Sequence, residues 1–106
     1  MQVLFDQGTP APLRPFLLAH QVSTAYERGW STLKNGELLQ AAELAGFLVL
    51  VTTDTNLKYQ QNLASRRISV VVLSTTSWPR IKAQVESVIL AVDSATPGSY
   101  FEVRVS

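Results

Sequence analysis

The sequence contains no cysteine, one histidine and one methionine. Without cysteine the chain forms no disulfides, uses no thiolate nucleophile and builds no cysteine zinc site, which suits a reducing compartment such as the cytoplasm. No stretch approaches the roughly 18 apolar residues of a membrane-spanning helix. Met1 leads directly into an apolar segment with no basic region before it, so we expect no signal peptide and a cytoplasmic protein without membrane contact.

A basic excess is also missing. Nine Lys and Arg residues against eight Asp and Glu residues leave a formal net charge of +1, whereas nucleic-acid-binding domains often carry a clear excess of cations. Any contact with RNA therefore depends on local groups of cations. Hydrophobic residues make up 46% of the 106 residues and charged residues 16%. These proportions predict one domain over residues 1–106, with an apolar face covered by a partner or a second copy.

Two short apolar runs predict strands that are buried on both faces. Residues 47–51 (FLVLV) and 68–73 (ISVVVL) are too short for buried helices and are rich in β-branched side chains. Such runs are typical of central strands in a parallel sheet that helices cover. Weaker strand patterns occupy residues 2–6, 21–25 and 100–105, and the last of these alternates like an edge strand.

Helical patterns separate these strands. Thr9 as N-cap and Pro10 open the first helix, whose apolar face runs from Leu13 to His20. Three further helices are predicted, over residues 36–45, 56–65 and 78–92, the last with a full amphipathic stripe. The alternation of strands and helices predicts an α/β protein, a three-layer α/β/α sandwich around a mostly parallel central sheet.

Acidic residues follow two of the predicted strands and open one helix. Asp6 ends the first strand, Asp54 follows the third, and Glu37 lies in the first turn of a helix. Ligands bind at the carboxyl ends of strands in open α/β sheets. If the two strands are neighbours, both aspartates reach the same edge, and a helix N-terminus that arrives there brings Glu37 with it. Converging carboxylates repel each other unless cations neutralise them, and such oxygen ligands suit Mg²⁺ or Mn²⁺. The pattern predicts metal-dependent phosphodiester hydrolysis.

Each acid also has a structural interpretation. Asp6 and Asp54 can accept hydrogen bonds from the backbone N–H groups of a following turn or helix. Glu37 is favoured in a first helical turn by the helix dipole alone. The three acids together point to a site more strongly than any one of them does.

Three segments of the sequence carry a resemblance to a known family. They are VLFDQGTP at residues 3–10, RGW…NGELLQAAELAG at 28–46 and LVLVTTDTN at 48–56. They look like the PIN-like proteins of the DUF5615 family, predicted ribonucleases that are often the toxin half of toxin–antitoxin pairs. The family typically has LLDENLP, a SDEEIL-like helix start and LVTNDKDF, and the likeness extends over about residues 2–93. Matching the motifs in turn places the family's acids on Asp6, Glu37 and Asp54.

The resemblance implies a PIN-like fold and a metal-dependent ribonuclease. Its catalytic residues, which are also ligands of Mg²⁺ or Mn²⁺, would be Asp6, Glu37 and Asp54, with Asn56 as a weaker fourth ligand. The cations expected to steer the RNA backbone are Lys34, Lys58 and Arg66. The expected partners are RNA and either a cognate antitoxin protein or a second copy that forms a homodimer.

The sequence departs from the family pattern at several positions. The Glu after the first acid is Gln7 here, the Asn that follows is Gly8, and the acid two residues past Asp54 is Asn56. Of the acid pair at the helix start, only Glu37 remains. Asn supplies an oxygen but no charge, so a second interpretation stays open. In that interpretation the fold is kept, the reduced acid set holds no metal, and the domain works as a protein-binding module.

A third interpretation is a small flavodoxin-like nucleotide or phosphate binder, but no Gly-rich loop follows the first strand. Trp30 and Trp78 could stack on unpaired bases, although core packing or a protein interface is the expected role for both. His20 has no serine or cysteine partner at a spacing that would suggest a nucleophile, so we expect it to be structural.

Overall fold

Within residues 1–57 and 62–105, which the computed structural model describes, five strands form one parallel sheet. The strands are β1 (Gln2–Phe5), β2 (Gln21–Thr24), β3 (Val49–Thr52), β4 (Ser69–Leu73) and β5 (Tyr100–Val103). Their order is β2-β1-β3-β4-β5, and every neighbouring pair is parallel. The α/β class predicted from the sequence is confirmed. In this order β1 and β3 flank the topological switch point, where doubly wound sheets bind their ligands.

The two apolar runs form the inner part of the sheet, as predicted. Every residue of β3 and β4 is buried, because side chains on both faces of these strands are covered. β3 begins at Val49 rather than Phe47 and extends through Thr52. Of the three weaker patterns, residues 21–25 and 100–105 became the edge strands β2 and β5, whereas residues 2–6 became β1, a third inner strand.

Helices connect the strands on both sides of the sheet. The helices whose full extent lies in the described residues are the α-helices α1 (Asn35–Leu44), α2 (Trp78–Ala83) and α3 (Val85–Asp93) and the 3₁₀ helices Ala11–Phe16 and Leu63–Ser65. None of the helices in residues 1–57 and 62–105 has the length and apolar character that a bilayer span requires.

Alternate strand residues point into two separate apolar clusters, one on each face of the sheet. Phe5 and Val51 share the first cluster with residues of α2 and α3 such as Val88. Leu4 shares the second cluster with residues of α1 such as Leu39. Because successive side chains of a strand point to opposite faces, each strand contributes residues to both apolar clusters. Helical residues therefore cover both faces of the sheet, as in an α/β/α sandwich.

The first helix differs from its prediction. It is a 3₁₀ helix that ends at Phe16, rather than an α-helix with a face that reaches His20. Pro12 and Pro15 have no backbone N–H to donate, so they interrupt α-helical hydrogen bonding in this segment. Thr9 is not the N-cap either: that position is Pro10, and the Thr9 hydroxyl donates to the Val51 carbonyl at 2.8 Å.

The last predicted helix is broken into two. α2 and α3 are separated at Gln84, whose φ is −125° and ψ is 29°. The predicted apolar face is nevertheless present, since Ile81, Val88 and Val92 are buried. The hydrophobic pattern was therefore correct for the face and wrong for the continuity of the helix.

The helix predicted over residues 56–65 lies only partly within the described residues. Residues 58–61 are outside them, so Lys58 is too, while Leu63–Ser65 forms a 3₁₀ helix. That turn ends shortly before β4 and leads into the pair of arginines at 66 and 67.

The tryptophans and the histidine have structural contacts, as expected. The Trp30 ring lies 6.0 Å from Phe47 in a T-shaped arrangement, and the Trp78 ring lies 5.7 Å from Phe16. Both tryptophans pack against the apolar clusters. At the end of α3, His20 Nε2 is 2.6 Å from an oxygen of the Asp93 carboxylate.

The outer edge of β2 is closed by side chains. Arg14 donates to the Val22 carbonyl and, at 2.9 Å, to the Glu27 carboxylate, which in turn accepts the Thr24 N–H at 2.9 Å. The hydrogen bond from Arg14 is the largest cause of a lowered pKa at Glu27. Edge strands invite pairing with other chains, and these side chains occupy backbone groups that another strand would use.

Candidate functional site at the carboxyl edge of β1 and β3

Thr52 connects the two aspartates that follow β1 and β3. Its hydroxyl donates to Asp6 Oδ2 at 2.8 Å and accepts the backbone N–H of Asp54 at 3.1 Å. The Thr52 residue is only 1% exposed, so these hydrogen bonds are shielded from water. β1 and β3 are neighbours, and the predicted meeting of Asp6 and Asp54 at one edge therefore occurs through a single buried hydroxyl.

Asp6 is half-buried and held from two sides. Its Oδ1 accepts the backbone N–H of Gln7 at 2.7 Å, while Oδ2 accepts the Thr52 hydroxyl. Its own backbone N–H donates to the Val51 carbonyl at 3.0 Å, which extends the β1–β3 pairing by one residue. Each carboxylate oxygen can accept a second bond, so Asp6 is oriented and still has capacity for a ligand.

Asp54 is held by the start of α1 and by its own loop. Its Oδ2 accepts a hydrogen bond from the Asn35 side-chain amide at 2.8 Å, and its Oδ1 accepts the Asn56 N–H at 2.9 Å. Asn56, which was predicted as a weaker metal ligand, thus contacts Asp54 through its backbone, and it is exposed. The contact from Asn35 ties α1 to the carboxyl edge.

Glu37 does not join the two aspartates. Its carboxylate accepts the backbone N–H of Lys34 at 3.3 Å, and the side chain is exposed. This contact is one half of a capping box, in which the third residue of a helix reaches back to the N-cap N–H. The helix starts at Asn35 with Lys34 as N-cap, so Asn35, not Glu37, brings a side chain to Asp54.

Thr52 and Asn35 are site residues that the sequence pattern missed. Thr52 is the last residue of β3, and Asn35 is the first residue of α1. The only available signal was their position, two residues before an acid at a strand end and at a helix start. Side-chain hydrogen bonds between residues that are 19 and 46 positions apart leave no periodic trace in a sequence.

The carboxylate pair, but not the set of three acids, suits a divalent cation. Among the described residues, no three His, Cys, Asp or Glu side chains are grouped so that they could hold a metal ion. Mg²⁺ is commonly bound through one or two carboxylates, with water and substrate phosphates as the remaining ligands. Asp6 and Asp54 fit that smaller requirement, because both are partly exposed and have acceptor capacity to spare.

The predicted substrate-binding cations lie at different ends of the sheet. Lys34 is exposed beside Asn35, which places it at the same edge as Asp54. Arg66 precedes β4 and therefore lies at the amino edge, where its guanidinium is 2.6 Å from the Glu43 carboxylate at the end of α1. Lys58 is outside the described residues. Lys34 is thus the predicted cation that the structure places beside the aspartates.

The ion pair of Glu43 and Arg66 makes stability depend on pH. Burial raises the pKa of Glu43, but hydrogen bonds from Arg66 and from the Arg67 N–H, with the Arg66 charge, outweigh it and lower the pKa below the ordinary value of 4.5. The unfolded state therefore binds a proton more readily than the folded state as the pH falls. The stabilisation is complete above about pH 5 and is lost below about pH 4.5 as Glu43 is protonated.

Replacing Glu43 with Gln should flatten this dependence. At pH 7 we expect Glu43→Gln to lower the free energy of unfolding by about 1 kcal/mol, since a charge-assisted hydrogen bond becomes a neutral one. At pH 3 the variant and the native protein should differ less. Urea unfolding at both pH values measures this, and an equal difference at pH 7 and pH 3 would contradict the assignment.

Replacing Thr52 with Val should destabilise the protein through the aspartates. Val has nearly the same shape, but it cannot donate to Asp6 or accept from the Asp54 N–H, so we expect a loss of about 1–3 kcal/mol. Thr9→Val is the matched control, because that buried hydroxyl donates to a neutral carbonyl and should cost about 0.5–1.5 kcal/mol. Urea unfolding compares the two variants. A smaller loss of stability in Thr52→Val than in Thr9→Val would refute the link between the two aspartates through Thr52.

Comparison with known proteins finds no matching family model, no matching curated protein and no matching solved structure. The resemblance to the DUF5615 family therefore stays a prediction from the motifs.

Proposed function

We propose that the chain is a divalent-cation-dependent phosphodiesterase that cleaves RNA at the carboxyl edge of β1 and β3. The observation that carries this proposal is that the buried Thr52 hydroxyl links the Asp6 carboxylate to the Asp54 backbone N–H, so that both aspartates lie at one edge of the sheet. The pair lies at the switch point of the sheet, the general position of ligand sites in open α/β folds. The resemblance to PIN-like ribonucleases supports RNA as the substrate and a toxin–antitoxin pair as the setting.

The residues have separate roles in this proposal. Asp6 and Asp54 hold Mg²⁺ or Mn²⁺, and Thr52 and Asn35 orient the two carboxylates. A divalent cation bound there supplies an activated water and neutralises charge on the phosphodiester. Lys34, exposed at the same edge, attracts the phosphate backbone. Glu37 has no part in holding the cation while its carboxylate is bonded to its own helix.

A second candidate is a protein-binding module without catalysis. It is favoured by the position of Glu37, which leaves two acids rather than three at the edge. Two carboxylates hold a hard cation less tightly than three do, because affinity follows the charge of the ligand set. Cation binding by the folded protein distinguishes the two candidates.

The test is thermal unfolding at increasing Mn²⁺ and Mg²⁺. Binding to the folded state should raise its stability by about 2.7 kcal/mol at a hundredfold excess over the dissociation constant. We expect this rise in the native protein and its loss in Asp54→Asn. Asp93→Asn is the matched control, because Asp93 lies at the end of α3 beside His20 and its replacement should leave the cation response intact.

An assay of RNA cleavage with the same three proteins completes the test. The native protein and Asp93→Asn should cleave single-stranded RNA only with the cation present, and Asp54→Asn should not. If the native protein shows neither a cation response nor cleavage, the enzyme is rejected in favour of the binding module.

A further inference from the structure

A shallow groove crosses the amino edge of the sheet, at the end opposite to the aspartates. Its first part is a cavity of about 170 Å³ lined by Glu43, Gly46, Phe47, Leu48 and Arg67. Its second part is a cavity of about 60 Å³ lined by Met1, Leu48, Arg67, Ala95, Thr96 and Pro97. Leu48 and Arg67 line both cavities and therefore join them. We call the nine lining residues the amino-edge groove.

The groove presents apolar side chains that the fold leaves uncovered. Leu48 is 50% exposed and Met1 is 38% exposed, and Leu44, at the end of the neighbouring helix, is 82% exposed. Leu48 cannot turn inward easily, because its N–H donates to the Gln2 carbonyl and its own carbonyl accepts the Ser69 N–H. Grouped apolar side chains of this kind mark interaction sites on soluble proteins.

The groove also carries the positive charge of Arg67, which no acid among the described residues pairs with. Glu43 is already paired with Arg66 through a 2.6 Å contact, and it accepts the Arg67 backbone N–H at 2.9 Å. Within residues 1–57 and 62–105, the guanidinium of Arg67 forms no ion pair or hydrogen bond. An occupant that complements the groove therefore brings a carboxylate to Arg67 and an apolar side chain to Leu48.

The size of the groove selects the kind of occupant. An interface between two folded proteins of standard size involves roughly 20–30 residues on each side, whereas nine residues line this groove. The concavity itself therefore has the size of a short segment of chain.

We propose that the amino-edge groove binds a short segment of a partner protein, in which an apolar side chain lies close to an Asp or Glu. The apolar side chain covers Leu48, and the carboxylate pairs with Arg67. The groove lies at the opposite edge from Asp6 and Asp54, so the segment binds without covering the aspartates. The proposal is independent of the proposed phosphodiesterase activity.

The experiment selects dodecapeptides from a random phage-displayed library on the purified full-length protein. We expect the selected sequences to share an apolar residue and an acid within a few positions. The best peptide, labelled with fluorescein, is then titrated by fluorescence anisotropy with the native protein and with Arg67→Gln. Loss of a charge-assisted contact should weaken binding by about ten- to a hundredfold.

Matched variants separate the groove from general electrostatics. Arg80→Gln removes one exposed arginine on α2 and should leave the peptide affinity unchanged, whereas Leu48→Ala should weaken binding as Arg67→Gln does. Leu48 and Arg67 are both exposed, so the variants should fold, and circular dichroism with thermal unfolding verifies this.

Three outcomes would overturn the proposal. Selected peptides that lack an acid, or that bind Arg67→Gln as tightly as the native protein, would contradict the proposed pairing of a carboxylate with Arg67. A dimer in sedimentation velocity that Leu48→Ala dissolves would assign the groove to a second copy of the chain. Tight binding of a single-stranded RNA dodecamer that Arg67→Gln abolishes would assign it to nucleic acid.

Discussion

Replacing Asn35 with Asp should increase the affinity for Mn²⁺ on the order of tenfold or more, since affinity rises with the charge of the ligand set. The Asn35 amide donates to Asp54 Oδ2 at 2.8 Å, so the new carboxylate would lie directly beside that of Asp54. Without a cation the two carboxylates repel each other, and the pKa of one of them rises. We therefore expect the variant to lose about 1–3 kcal/mol of stability at pH 7 in the absence of metal.

The pH dependence of Asn35→Asp has the opposite sign to that of Glu43. A carboxyl group whose pKa is raised by folding costs stability at high pH, and that cost disappears as the pH falls and the group is protonated. The variant should thus recover relative to the native protein in mild acid, or at neutral pH when Mn²⁺ is added. Thermal unfolding with and without Mn²⁺, and calorimetric titration of the cation, measure both effects.

Asn62→Asp is the matched control for this substitution. It makes the same change of net charge at an exposed position before the second 3₁₀ helix, and it should alter neither the cation affinity nor the pH dependence. An equal response to Mn²⁺ in Asn35→Asp, Asn62→Asp and the native protein would show that the carboxyl edge of β1 and β3 is not a cation site.

Replacing Gly98 with Ala should lower the free energy of unfolding by about 2–4 kcal/mol and the melting temperature by about 10 °C. Gly98 has a φ of +75°, and a Cβ atom there would lie 2.9 Å from the Arg66 carbonyl oxygen. The positive φ is costly for any residue with a Cβ. The clash adds to this cost, because the obstructing atom belongs to backbone that leads into β4 and cannot rotate away.

Gly29→Ala separates the two contributions. Gly29 has a φ of +76°, but a Cβ atom there would have no heavy atom within 4 Å. Its replacement should cost only the conformational part, about 1–2 kcal/mol. Urea unfolding of both variants compares them directly. Equal losses at the two positions would mean that the turn before β5 moves away from the Arg66 carbonyl without cost.

The sequence predicted the positions of the two aspartates of the candidate site correctly but placed Glu37 wrongly, because the partner of Glu37 is set by local geometry. Asp6 and Asp54 follow apolar strands, which the pattern identified, but their meeting also required that β1 and β3 be neighbours, which the structure shows. A glutamate in a first helical turn, by contrast, can either reach the carboxyl edge of the sheet or accept a hydrogen bond from the backbone N–H of its own N-cap residue. Glu37 bonds to the Lys34 N–H, and the sequence does not show which partner is closer.

The position of Arg66 at the amino edge of the sheet could have been inferred from the sequence. Arg66 directly precedes the apolar run that became β4, so it lies at the amino edge of a parallel sheet and away from residues that follow strands. Its pairing with Glu43, 23 residues earlier, could not be read from spacing. That contact depends on where α1 ends relative to the start of β4.

The sequence by itself determined which segments form the sheet and that two of them lie inside it. The apolar runs that end at Val51 and Leu73 identified two of the three inner strands, and the alternation at residues 100–105 identified an edge strand. Only the tertiary structure decided that Thr52 and Asn35, rather than Glu37, contact the aspartates. Such hydrogen bonds need distances near 3 Å between segments far apart in the chain, and packing of the whole fold sets those distances.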